Sequence, residues 1–269
     1  MNGRVLIAAG SDSGGGAGIQ ADIKTVTALG GYAMTAITAL TAQNTLGVHG
    51  VWPVSPEFIA RQLVVVLDDI GADAIKTGML HDAAVTRTVA DVLAEKASAV
   101  PLVVDPVMVA KGGAPLLEAE AVGALWARLI PAATLITPNI PEAELLAGQP
   151  IATTDDVLAA GRLLLARGAR AVLMKGGHRA GDEVEDWLLT PTGARRFTSP
   201  RIDSKDTHGT GCTLASAIAT GLAQGMTLPM AVDRARHYVL EAIRQAPGLG
   251  QGHGPLNHGW PCALPSADR

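Results

Sequence analysis

The stretch KDTHGTGCTLASAIATGLAQG, Lys205 to Gly225, decides how the chain is read. Gly209, Thr210, Gly211 and Cys212 lead into a run of Ala, Ser, Thr, Leu and Ile. Small uncharged residues predict a buried helix packed close to its neighbours, and the glycines ahead of it let the chain turn tightly with bare backbone N–H groups facing outward. The first amides of a helix lack partners within it and sit at the positive end of the macrodipole. The stretch therefore predicts a site for phosphate or a negatively charged transition state. Cys212 lies inside that field, where a thiol is expected to ionise more easily than in water. A glycine-rich turn before a core helix, with Cys212 as a small buried hydrophobe, explains the same residues, so the rest of the chain must decide.

Upstream of this stretch, short apolar runs alternate with helical patterns. Ala171 to Met174 reads as a strand that delivers Lys175-Gly176-Gly177, a lysine placed to meet phosphate as a point charge. Leu102 to Asp105 reads as a strand whose last carboxylate points at the ligand crevice of a parallel sheet. The loop after it carries Lys111-Gly112-Gly113 and has the composition of a mobile lid. Thr134 to Thr137 is a strand, and Asn139 and Glu142 then stand at the spacing of a capping box, which leaves Glu142 free to face a magnesium shell as well. Asp186 to Ser199 predicts a hairpin turning at Pro191-Thr192-Gly193. Helices are expected over Pro56–Ile70 with Ser55 as cap, His81–Ala97, Ala119–Ile130, Asp155–Arg167 and Thr227–Gln245, and an irregular tail from Gly248.

At the N-terminus, the strand Arg4–Ala9 runs into GSDSGGGAGIQAD and a helix extending to about Gly30. A Walker motif needs a Gly-Lys-Ser/Thr that is absent, and no acidic residue ends a second strand about 20 residues on, as a dinucleotide fingerprint requires. The glycines still admit a ligand close to the backbone, with Asp12 and Asp22 as acceptors for substrate hydroxyl or amine groups. Tyr32 to Gln43 is a strand whose exit amide, Gln43, can donate and accept at once to a heteroaromatic edge. Ala74 to Leu80 is the next strand, with Met79 at its end as an apolar pocket wall.

Bulk properties narrow the class. The 269 residues are 48% hydrophobic, 17% charged and 3% aromatic, enough to bury a sizeable core in one domain. The net charge of −4, with both signs interspersed, suggests neither nucleic acid nor an anionic membrane as partner. Two cysteines, Cys212 and Cys262, form no disulfide framework, and no apolar run approaches a membrane span, so a cytoplasmic enzyme is expected.

Alternation of strands and helices predicts a three-layer α/β/α sandwich with a mostly parallel sheet. Asp12, Gln43, Met79, Asp105, Glu142, Lys175 and Cys212 then share one sheet edge, where ligands bind in such folds. In order and wording, GSDSGGGAGIQAD, TAQNT, KTGML, VDPVMVAKGG, TPNIPEAELL, MKGG and DTHGTGCTLASAIA resemble the hydroxymethylpyrimidine/phosphomethylpyrimidine kinases of thiamin biosynthesis, within the ribokinase-like superfamily. The likeness runs from about Val5 to Gly254 and includes GHGP in the tail. It implies ATP with Mg2+ and two successive phosphoryl transfers, first to the pyrimidine hydroxymethyl group and then to its monophosphate. It also implies substrate contacts at Gly10, Asp12, Gln43, Met79 and Val107, and nucleotide contacts at Thr137, Asn139, Lys175, Thr207 and Gly209. Asp105 and Glu142 would serve the metal, and Gly209, Gly211, Lys175 and Cys212 the chemistry, Cys212 as base. Sugar kinases of the superfamily usually hold an aspartate at that position. A homodimer is implied too. The alternatives are a pyridoxal or pyridoxine kinase of the same fold, a kinase of both ring types, and a non-catalytic pyrimidine sensor.

Overall fold

The structure, a computed structural model, describes residues 1–108, 119–179 and 181–262. The expected Lys111–Gly113 lid lies outside the described residues. Nine strands form one sheet in the order β3-β2-β1-β4-β5-β6-β7-β8-β9. They are β1 (Arg4–Asp12), β2 (Tyr32–Asn44), β3 (Gly47–Pro53), β4 (Ala74–Thr77), β5 (Leu102–Val104), β6 (Leu135–Ile136), β7 (Val172–Met174), β8 (Glu183–Thr190) and β9 (Gly193–Pro200). The pairs from β2 through β1, β4, β5 and β6 to β7 are parallel, and antiparallel hairpins close both edges.

The helices are α1 (Gly18–Ala28), α2 (Pro56–Asp69), α3 (Ala83–Lys96), α4 (Ala119–Ala124, continued by a π-wound turn to Leu129), α5 (Ile140–Ala147), α6 (Thr154–Ala166), α7 (Thr210–Ala223) and α8 (Leu228–Arg244). Period-2 alternation sorts the core into two layers. On β1, Leu6 and Ala8 face one apolar cluster, with α2, α3, α5 and α6, while Val5, Ile7 and Ala9 face the other, with α1, α7 and α8.

Most sequence expectations hold to within a few residues. The exception is β3, which no reading placed; all but its first two residues are exposed, so it carries no buried alternation. The helix expected from His81 begins at Ala83, because His81 is left-handed at φ 69° and Asp82 caps through Val85 N. The tail is anchored at points despite its irregular course. His208 N–H donates to Gly254 O, Tyr238 Oη to His258 O, and His258 Nε2 lies 2.9 Å from Thr213 Oγ1.

The chain reverses its course across the sheet at β1. From β1 it steps to β2, then returns over α2 to β4 on the other side of β1. Such a switch point splays the loops apart at the strands' carboxyl ends and opens the ligand crevice there.

Beneath that crevice lies a fully buried ion pair. Lys76 Nζ on β4 sits 2.9 and 3.0 Å from the two oxygens of Asp22 on α1, and Ser216 Oγ on α7 donates to Asp22 at 2.7 Å. Burial works against the Lys76 ammonium but is outweighed by Asp22, Cys212 and Asp105, so it stays charged. Burial pushes the Asp22 carboxyl up while Lys76 and Ser216 hold it down. We take the ionised pair as the resting state, since three polar groups satisfy one another there. The sequence expectation that Asp22 serves substrate is corrected by this geometry: its oxygens face Lys76 and Ser216, with no exposure.

Two stability predictions follow from these buried groups. Lys76→Met strands the Asp22 carboxylate, and urea unfolding at pH 7 should show a loss of about 3–5 kcal/mol; a loss below about 1 kcal/mol would show that the pair is dispensable. Burial, with Lys24 nearby, lowers the His258 imidazole to about 4 from its ordinary 6.5. The folded state thus disfavours the protonated ring, so this contribution is complete above pH 6.5 and is lost as pH falls through 4. It amounts to about 3 kcal/mol at most. The pH 7 to pH 4 drop in unfolding free energy should shrink in His258→Gln; an identical drop would remove His258 from the acid response.

Candidate functional site

A cavity of about 740 Å³ opens at the carboxyl ends of the central strands. Its walls bring together residues far apart in sequence: Gly10, Asp12, Gln43, Met79, Asp105, Val107, Asn139, Glu142, Lys175, Thr207, Gly209, Gly211 and Cys212. Of the expected site residues Thr137, like Asp22, stands off the wall. It is fully buried, and its hydroxyl donates to Asp105 Oδ1 at 2.9 Å, holding that carboxylate from behind.

At one end lies the start of α7. Its N-cap Gly209 is left-handed at φ 81°, and a side chain there would collide with the carbonyl of Gly16, so the turn requires glycine twice over. No side chain caps the helix. Lys175 leaves β7 and reaches Asp105 at 2.9 Å and Glu142 at 3.9 Å. Lys175 and Asp105 lie against the helix start: a Cβ on Gly211 would come within 3.4 Å of Lys175 Nζ and 3.6 Å of Asp105 Oδ2.

The charge states follow from this packing. Burial would raise Asp105, but Lys175 and Lys76 outweigh it and hold the carboxyl below its usual range. Burial lifts Glu142 to about 7, only partly offset by Lys175 and reinforced by Asp105. Burial works against the Lys175 charge and is outweighed by Asp105 and Glu142. Glu142 also completes the capping box of α5: Oε2 accepts from Asn139 N at 2.8 Å and Asn139 Oδ1 accepts from Glu142 N at 2.9 Å. The capping-box reading of that motif is realised, and Glu142 lines the cavity as well.

Cys212 corrects a sequence expectation. Burial pushes its thiol up to about 11, reinforced by Asp22 and Asp105 and only partly offset by Lys76 and an N–H from Gly18. Desolvation and two carboxylates overcome the helix N-terminus, so the unliganded site holds a thiol.

At the other end, Met79 and Gly10 face one another, with the methionine Cε 3.0 Å from where a Gly10 Cβ would lie. Asp12 accepts from the amides of Gly14, Gly16 and Ala17 at 2.8, 3.1 and 2.8 Å and lies 2.9 Å from His208 Nε2. Its carboxylate therefore shapes the glycine loop more than it faces the cavity. His208, which sequence reasoning passed over, also touches Gln43; its one sequence signal was its place between Thr207 and Gly209.

Asp105 and Glu142 are hard oxygen donors beside a lysine and a helix N-terminus, the chemistry that suits a magnesium ion sharing its shell with phosphates and water. Among the described residues no group of three or more His, Cys, Asp or Glu side chains could cage a metal alone. No helix among them is long and apolar enough to cross a membrane.

Comparison with known proteins agrees with this geometry. The phosphomethylpyrimidine kinase family model matches residues 12–257. A thiamine biosynthesis bifunctional protein, ThiED, of Geobacter sulfurreducens is 57% identical over 95% of this chain, which spans about half (52%) of that longer protein. A hydroxymethylpyrimidine/phosphomethylpyrimidine kinase of Streptomyces coelicolor is 49% identical over 95% of this chain and 94% of its own length. Among solved structures, a pyridoxal kinase of Bacillus subtilis in complex with ADP superposes with a TM-score of 0.89, at 38% identity, over 96% of this chain and 98% of that one. With the family model matching residues 12–257 and a relative 49% identical over 95% of the chain, the chain belongs to the phosphomethylpyrimidine kinase family.

Proposed function

We propose that the chain transfers the γ-phosphoryl group of ATP to the hydroxymethyl oxygen of 4-amino-5-hydroxymethyl-2-methylpyrimidine, and then a second phosphoryl group to the resulting monophosphate, in thiamin biosynthesis. The observation that carries this reading is the convergence of Lys175, Asp105, Cys212 and the uncapped start of α7 in one cavity. Phosphoryl transfer asks mainly for positioning and charge stabilisation, and this end of the cavity supplies both.

Gln43 meets the pyrimidine edge, and Met79, Gly10 and Val107 enclose its ring. Lys175, with Asn139, Thr207 and Gly209, holds the nucleotide phosphates. The amides of Gly211 and Cys212 receive the charge of the transferred group. Asp105 and Glu142 would hold a magnesium ion, which when bound neutralises phosphate charge. In the step itself the substrate oxygen forms the new O–P bond, the β,γ-bridging bond breaks, ADP leaves, and the hydroxyl proton passes to the Cys212 sulfur in its thiolate form. We place the enzyme in the cytoplasm.

We further propose a homodimer through the β2–β3 edge. Leu40 and Trp52 pair directly across that hairpin and are 47% and 73% exposed, with Val51 beside them. Side chains of this size on an edge hairpin are a cost in water unless covered. Sedimentation should show a dimer that Trp52→Asp dissociates; a monomeric wild type would end this reading.

The catalytic assignment is tested by ADP release with MgATP and three acceptors: the hydroxymethylpyrimidine, its monophosphate and pyridoxal. Turnover is expected on the first two and little on the third. Cys212→Ala should lose about 10²- to 10⁴-fold in kcat while retaining ATP binding, and chelation of divalent cations should stop turnover. Wild-type rates in Cys212→Ala would exclude the cysteine, turnover chiefly on pyridoxal would favour the activity named for the Bacillus relative, and tight pyrimidine binding without turnover would point to a sensor.

A further inference from the structure

Gln43 sits in a network whose hydrogen count is decided by a neighbour. Its side-chain nitrogen faces His208 Nε2 at 3.2 Å, and its oxygen faces Thr41 Oγ1 at 3.1 Å. His208 Nε2 is also 2.9 Å from Asp12 Oδ2. Asp12 already accepts three backbone N–H bonds, which suit only the anion. A carboxylate accepts and does not donate, so the hydrogen between them belongs to His208 Nε2. Two donors then meet where Gln43 nitrogen faces His208.

The other end of the amide has the complementary conflict. Thr41 Oγ1 has one hydrogen and two acceptors in reach, Ser11 O at 2.9 Å and Gln43 Oε1 at 3.1 Å. A half-turn of the amide about its last torsion exchanges N and O without changing its shape. Both conflicts then vanish. His208 Nε2–H is shared between Asp12 and Gln43 Oε1, while Gln43 N–H donates to Thr41 Oγ1, which donates onward to Ser11 O.

We infer that His208, anchored by Asp12, is a positioning residue that fixes the Gln43 amide with its oxygen toward His208 and its nitrogen toward Thr41, and thereby selects the ring edge that the site accepts. One lone pair on Oε1 and one N–H remain for the ligand, side by side and in a fixed order. That pair matches an amine donor next to a ring-nitrogen acceptor, as in a 4-aminopyrimidine. Pyridoxal has no amine beside its ring nitrogen and gains nothing from the order. The inference rests on the proposed pyrimidine substrate and deepens it by assigning what reads the amine. A site built to pair with a polar group discriminates strongly against a ligand that lacks it, because its own groups are then left unpaired.

The test uses wild type, His208→Phe, His208→Gln and Thr41→Val in the full chain. It measures kcat and KM with MgATP for the hydroxymethylpyrimidine and for pyridoxal, and calorimetric binding of each compound without nucleotide. His208→Phe should raise KM and Kd for the aminopyrimidine by about tenfold or more, change kcat by less than about threefold, and leave the pyridoxal constants unmoved. His208→Gln, whose amide N–H can replace the donor, should recover most of the loss. Thr41→Val, which leaves His208 in place and removes the other anchor, should shift the same constants in the same direction, and it keeps the test open should His208→Phe not fold. Equal losses on both acceptors, a fall confined to kcat, or unchanged aminopyrimidine binding would overturn the inference. Wild-type binding of the aminopyrimidine without turnover would instead overturn the proposed activity, while the calorimetric contrast between variants still decides the role of His208.

Discussion

A charged lysine with no exposure sets the terms for the molecule. Lys76 sits at the centre of the sheet, and its direct ion-pair partner is Asp22 on α1, with Ser216 on α7 satisfying the same carboxylate. Three elements from distant parts of the chain are thus tied beneath the crevice. Ser216 stands one helical turn beyond Cys212, so the register of α7 that satisfies Asp22 also presents Cys212 and the free amides at the cavity wall. A buried pair of this kind gives little net stability compared with apolar packing, yet it penalises any arrangement that separates its members. Its contribution here is to placement. The small residues of α7, Ala215, Ala217 and Ala219 among them, allow the helix the close approach that the pair needs.

A second buried cation, Lys175, repeats the pattern one layer closer to solvent. Asp105, held from behind by Thr137, neutralises it, and Glu142 adds a carboxyl poised near 7. The burial that makes such groups costly also strengthens their fields, since little water lies between them to screen. Site and scaffold are therefore one construction. The capping box that starts α5 is the same pair of side chains, Asn139 and Glu142, that lines the cavity.

Which parts of this were legible in the sequence follows from how local each signal is. Strand ends, the Asn139–Glu142 box and the glycine turn before Thr210 depend on a few adjacent residues, and they stand where the pattern predicts. β3 was illegible because an exposed edge strand has no buried face to print an alternation. The fate of Asp22 was illegible because its partners lie 54 and 194 residues away. The state of Cys212 was misread for a related reason. The helix N-terminus is a local feature, whereas the burial and the two carboxylates that overcome it are assembled only by the fold. His208 lay in plain view within the motif, but its meaning depends on Asp12 and Gln43, which come from the opposite end of the chain.

The balance of charge in the unliganded cavity constrains how the reaction can start. Lys76 offsets Asp22 and Lys175 offsets Asp105, while Glu142 is near its midpoint at neutral pH and Cys212 is a thiol. This cluster has almost no positive charge to spare for a triphosphate beyond the half charge or so at the start of α7. For the proposed activity a nucleotide would therefore need a cation to accompany it, and Asp105 and Glu142 would be the groups to receive one. The same arithmetic applies to Cys212 in its proposed role as base. A thiol at about 11 is ionised to roughly one part in ten thousand at pH 7, a cost of about 5 kcal/mol if it were met before substrate arrived. Asp105 contributes to that cost, and a cation held by Asp105 would offset the contribution. In a loose phosphoryl-transfer transition state the attacking hydroxyl gives up its proton late. In the proposed mechanism thiolate formation would thus belong to the loaded site, and a cysteine inert until nucleotide and cation are in place would be protected from wasteful side chemistry in their absence.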